Sequence, residues 1–85
     1  MEQESRILSI FMRGIRGEHI SVKALAAEYD ISAKSISRDI AKIRNFLSEH
    51  RELVGGTELT YSHKVNAYQL HFDEFLLNSE RNIQS

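Results

Sequence analysis

The chain contains no cysteine and no proline. The first absence rules out disulfides, thiolate metal sites and cysteine nucleophiles. The second removes the residue that most strongly interrupts helices. With 41% hydrophobic and 27% charged residues, the composition fits an ordered, mostly helical globule better than a disordered segment. Long apolar runs are also missing, and a bilayer crossing needs about 20 such residues in a row. The opening Met1-Glu2-Gln3-Glu4-Ser5 has neither the basic nor the apolar region of a secretory signal. The expectation is a cytoplasmic, non-membrane protein, and 85 residues leave room for one small core of three or four elements.

A large net charge is lacking too, the formal value being −1. The charges are unevenly placed, however. Lys34 to Arg51 carries five bases (Lys34, Arg38, Lys42, Arg44, Arg51) against two acids (Asp39, Glu49), whereas residues 52–85 carry five acids and two bases. Contact with a polyanion depends on the local field, so the basic segment matters more than the total. Such a cluster also suits an ordinary solvated helix face.

What is present is periodicity. Ile7, Leu8, Phe11 and Ile15 recur at helical spacing, which predicts a first helix from Ser5 to Ile15, bracketed at its end by Gly14 and Gly17. Ser21 has the chemistry of an N-cap, and Val22, Leu25, Ala26 and Tyr29 supply the buried face of a short second helix that ends at Asp30. Ser32 reads as a second cap. Ile36, Ile40, Ile43 and Leu47 then recur at steps of four, three and four, predicting a helix over 32–47 with a basic opposite face. A polar stretch with a Gly55-Gly56 break follows. Leu59/Tyr61 and Tyr68/Leu70/Phe72 alternate with polar residues around a turn at 62–66, the pattern of a β-hairpin. The expected fold is mainly α with a small β-hairpin, a winged helix-turn-helix made of a three-helix core and a two-stranded wing. Residues 1–73 are expected to form this domain. Residues 74–85, with Phe75, Leu76 and Leu77, are expected to be a tail or the start of a further domain.

The short link Tyr29-Asp30-Ile31-Ser32 joins two amphipathic helices, as in a helix-turn-helix. In that arrangement the second helix enters the major groove with its N-terminal residues toward the base edges. Lys34, Ser35, Ser37 and Arg38 are therefore the candidate base-reading residues, and the Arg38 fork matches guanine O6 and N7. Ser32, Lys42 and Arg44 are candidates for phosphate contact, Ser32 through the amides of the helix start. At the predicted wing tip, His63, Lys64 and Asn66 are placed to reach the minor groove or the flanking phosphates. Each also has a plainer reading: Arg38 bridging Asp30 or standing in solvent, the serines as ordinary surface, His63 as a neutral turn residue. Arg51 is assigned no role.

Enzymatic chemistry has little to stand on here. His19, His50, His63 and His71 match no compact metal pattern, and nothing pairs a nucleophile with an oriented base. Gly14-Ile15-Arg16-Gly17 ends a helix and does not follow a strand, as a phosphate loop would. The expectation is no catalysis, no metal and no cofactor.

Arg6-Ile7-Leu8-Ser9-Ile10, His19 to Ala26, Tyr29-Asp30-Ile31-Ser32 and Ser35-Ile36-Ser37-Arg38-Asp39-Ile40 together resemble the N-terminal domain of DeoR-like transcriptional regulators. The resemblance is greatest to those whose larger half is a WYL domain, and it spans nearly the whole chain. Ala67-Tyr68-Gln69-Leu70 looks like the final wing strand of that family, and Phe72 to Leu77 like the lead into the sensor half. The resemblance implies sequence-specific binding of double-stranded DNA by a regulator expected to repress. It assigns Ile36, Asp39 and Ile40 to the scaffold and Arg38 to DNA. It also implies homodimers formed through a C-terminal domain absent here, so that this chain alone is expected to be a monomer or a weak dimer. Two positions depart from the family: Ser37, where an arginine or glutamine is frequent, and Ala67, where glycine is usual. A protein-binding winged helix, presenting Phe72, Phe75, Leu76 and Leu77, is one alternative. The regulatory N-terminus of an enzyme such as a biotin ligase is another.

Overall fold

The computed structural model of the chain describes residues 1–72. Asp73, the boundary placed there and the tail with Phe75, Leu76 and Leu77 lie outside the described residues. Four helices, α1 (Gln3–Ile15), α2 (Val22–Tyr29), α3 (Ala33–Glu49) and α4 (Arg51–Val54), precede an antiparallel hairpin of β1 (Glu58–Ser62) and β2 (Ala67–His71). The order matches the sequence-based expectation except for α4, a single helical turn inside the polar stretch.

Local chemistry sets the helix ends. The Ser21 hydroxyl accepts the Ala24 amide at 3.2 Å, and the Ser32 hydroxyl accepts the Ser35 amide at 3.1 Å. Each such cap contributes about 1 kcal/mol. Asp30 closes α2 in the left-handed region at φ 55°, which lets the Ile31 amide reach back to the Ala26 carbonyl at 3.0 Å. Aspartate tolerates that conformation better than most side chains do. Only three residues thus separate α2 from α3.

At the end of α1 the expectation is half met. Gly17, at φ 83°, lets its own amide reach Gly14 and the Glu18 amide reach Arg13, both at 3.0 Å. These are the paired bonds of a Schellman ending. Gly14 does not bracket the helix; it is buried inside it. A Cβ there would lie 3.3 Å from the Leu70 Cβ, so glycine lets β2 approach α1 closely.

The predicted row on α3 is the centre of the core. Ile36, Ile40, Ile43 and Leu47 are buried with Ile10 of α1, Leu25 of α2, Leu59 of β1 and Ile20 from the α1–α2 connector. Ile20 also exchanges two 2.8 Å backbone hydrogen bonds with Tyr68. A two-stranded hairpin has little stability alone; here that bridge and the burial of Leu59 anchor it to the helices. Among the described residues no helix is long and apolar enough to cross a membrane.

Candidate nucleic-acid interface

α3 turns about 100° per residue, so positions two residues from the buried row face away from the core. Lys34, Arg38, Ala41 and Asn45 occupy that outward row, and all four are exposed. The Lys34 and Arg38 side chains make no ion pair or hydrogen bond with any described residue, and the possible Arg38–Asp30 bridge is not formed. Two free cations therefore stand on the first half of the exposed face.

The flanks of the helix are distinct. On one, Asp39 is wholly buried and takes hydrogen bonds from Arg6 of α1, through Nε and, at 3.1 Å, through Nη2. This bond holds the Arg6 guanidinium above its ordinary pKa, against the opposing effect of burial. The segment's one acid in the middle of the basic run is thereby turned inward and neutralised. Arg44 lies on the other flank, its guanidinium 5.9 Å from the centre of the Tyr68 ring on β2. Lys42 and Arg44, two residues apart, project about 200° from each other around the axis, one toward the α1 side and one toward the hairpin.

The candidate residues do not form one surface. Ser35 is half-buried, and its Oγ accepts the Ser32 hydroxyl at 3.0 Å. That bond commits the Ser32 proton, so a phosphate at the helix start would meet the first-turn amides and, of the two hydroxyls, only the Ser35 proton. Ser37 is exposed and lies on the hairpin flank, in the row of Ala41, Arg44 and Ser48. In the hairpin loop, His63 sets its ring edge-on to Tyr61, with centres 4.9 Å apart. Lys64 is exposed, and Asn66 takes the left-handed turn position at φ 53°. Asn66 and Tyr61 also border a cleft of about 370 Å³ with Ser21, Lys23 and Ala33. The loop end thus faces the starts of both α2 and α3.

Lys23 is one of three residues to which the sequence pattern assigned no role. The others, Asn45 and Arg51, line an open cleft of about 500 Å³ between α3 and β1, shared with Arg44, Ser48, Glu58 and Thr60. Asn45 was detectable in principle, since it repeats the Lys34–Arg38 face one row further on. Arg51 was not, because its position depends on α4. Among the described residues no three His, Asp or Glu side chains converge as metal ligands would. A second exposed surface lies on α1, where Leu8, Met12 and Ile15 form an apolar stripe and Leu8 is 64% exposed. Comparison with known families, curated proteins and solved structures finds no match to this chain.

Proposed function

We propose that the chain is a winged helix-turn-helix module that binds double-stranded DNA in a sequence-specific way, the N-terminal part of a transcriptional regulator of the DeoR-like kind. In this reading α3 lies in the major groove, the hairpin is the wing and Ile20 supplies its short third edge. The observation that carries the proposal is the arrangement around α3. Lys34 and Arg38 stand free on the outward row, Lys42 and Arg44 project to opposite flanks, and Asp39 is withdrawn into the core by Arg6. A helix in a groove has bases ahead of it and one phosphate strand on each side. Cations placed ahead and on both flanks meet that geometry.

Selection from random duplexes, followed by anisotropy titration of the enriched sequence, tests the proposal. A defined sequence bound at least tenfold more tightly than a scrambled one is the expected result. Equal affinity for all duplexes, or none, would end it.

One observation favours a second reading, a protein-binding module. The Leu8–Met12–Ile15 stripe is an apolar surface of the kind that marks contact sites. In that case substitution along the stripe, and not on α3, would abolish the interaction.

A further inference from the structure

We infer that the cleft between α3 and β1 is a phosphate site in which Arg44 and Arg51 together hold one phosphodiester of the bound duplex. The inference rests on the DNA-binding reading above and adds to it a contact supplied by α4. Arg44 and Arg51 both line this one cavity, and Glu58 is the single acid among its lining residues. Asn45, Ser48 and Thr60, residues whose side chains carry neutral donors, line the same cleft.

The two arginines are held in place by different parts of the fold. Arg44 sits over the Tyr68 ring, and Tyr68 is fixed by its two backbone bonds to Ile20. Arg51 arrives because α3 stops at Glu49 and His50, at φ −119° and ψ 46°, turns the chain into α4. Glu58 tethers Arg51 loosely at 3.9 Å, with both side chains more than half exposed. A pair so open to water is readily exchanged for a phosphate. Guanidinium forks are shaped to take two phosphate oxygens at once.

Position selects a backbone phosphate over an unrelated anion. Ala41 and Asn45 belong both to the outward row of α3 and to the wall of the cleft. A strand that follows the hairpin flank of a groove-bound helix would therefore pass directly over the opening.

The test is the salt dependence of duplex binding by the whole chain, measured by anisotropy for wild type, Arg44→Ala, Arg51→Ala, the double variant and Arg51→Lys. Each phosphate neutralised adds about 0.9 to the slope of log K against log salt. Because the two arginines share one phosphate, each alanine variant should lower the slope, and the double variant should lower it by about 0.9 in total. Selected and scrambled duplexes should lose affinity alike, and Arg51→Lys should keep most of the slope. Thermal melts confirm that each variant is folded. An unchanged slope in Arg51→Ala overturns the inference, and so does a loss of about 1.8 in the double variant, which would mean two separate phosphates. If wild type binds no duplex, the DNA-binding reading fails, and inorganic phosphate followed by NMR of the arginine Nε–H signals decides the site separately. Saturable shifts at Arg44 and Arg51 support an anion site there; their absence overturns it.

Discussion

Arg6 and Asp39, 33 residues apart in sequence, form a part-buried ion pair that ties α1 to the middle of α3. Asp39 is 0% exposed, and no buried polar side-chain atom among the described residues lacks a hydrogen-bond partner. The pair therefore contributes to the setting of α3 as well as to its charge. Removing one member of such a pair strands the other, whereas replacing both with apolar residues is often neutral. Arg6→Leu and Asp39→Leu alone should each destabilise the domain more than loss of a helix cap does. The Arg6→Leu/Asp39→Leu double variant should recover more than half of that loss. Urea unfolding of the four proteins measures the coupling; purely additive losses would show that the pair does not act as a unit.

Arg38 and Lys42 provide a second test, because they differ in direction from α3. Arg38→Ala should reduce discrimination at one base pair by about 1–3 kcal/mol while leaving affinity for scrambled duplex nearly unchanged. Lys42→Ala should weaken all duplexes alike and lower the salt slope by about 0.9. Fluorescence titration against selected and scrambled duplexes at two salt concentrations separates them. Equal loss of both binding modes in Arg38→Ala would remove Arg38 from the reading surface.

The two glycines near the end of α1 resist substitution for different reasons. Nothing lies within 4 Å of a Cβ at Gly17, so Gly17→Ala should cost about 1–2 kcal/mol from left-handed backbone conformation alone. At Gly14 the backbone is helical and the obstacle is Leu70. Gly14→Leu should therefore be destabilising by about 1–3 kcal/mol through overpacking, and Leu70→Ala should relieve it in part. Chemical denaturation of these variants checks both statements.

α3 offers a contrast between its cap and its core. Ser32→Ala removes the bond to the Ser35 amide and should cost about 1 kcal/mol. Ile36→Ala, at a wholly buried position, should cost about 2–5 kcal/mol. Calorimetric melting of the two variants should rank them in that order.

How much of this was legible depends on the range of the interaction. The caps at Ser21 and Ser32 and the stop at Asp30 are decided within a few residues, and the sequence pattern located all three. The apolar row of α3 and the alternation of the hairpin were readable because burial imposes a period on the chain. α4 was not, since four residues are too few to show one. Gly14 was misread because glycine near a helix end usually marks that end, and the reason for it, Leu70, lies 56 residues further on. The same holds for the candidate surface. Arg38 was identifiable from its place on α3, but the Ser35 contribution to the cap, the Arg6 partner of Asp39 and the cleft that gathers Arg44 with Arg51 all require the folded chain.

The Arg6–Asp39 pair has a consequence for how such a domain can change. A slip of one residue in the packing of α3 would swing its outward row by about 100°, and the part-buried ion pair, the Ser32 cap and the isoleucine row all resist it. The side chains of Lys34, Ser37, Arg38, Ala41 and Asn45 make no hydrogen bond, ion pair or ring contact with the other described residues. They can be replaced as a set while the helix keeps its orientation, so under the DNA-binding proposal a change of target needs surface exchange alone, and substituting those five side chains together should alter the selected duplex sequence without lowering the melting temperature.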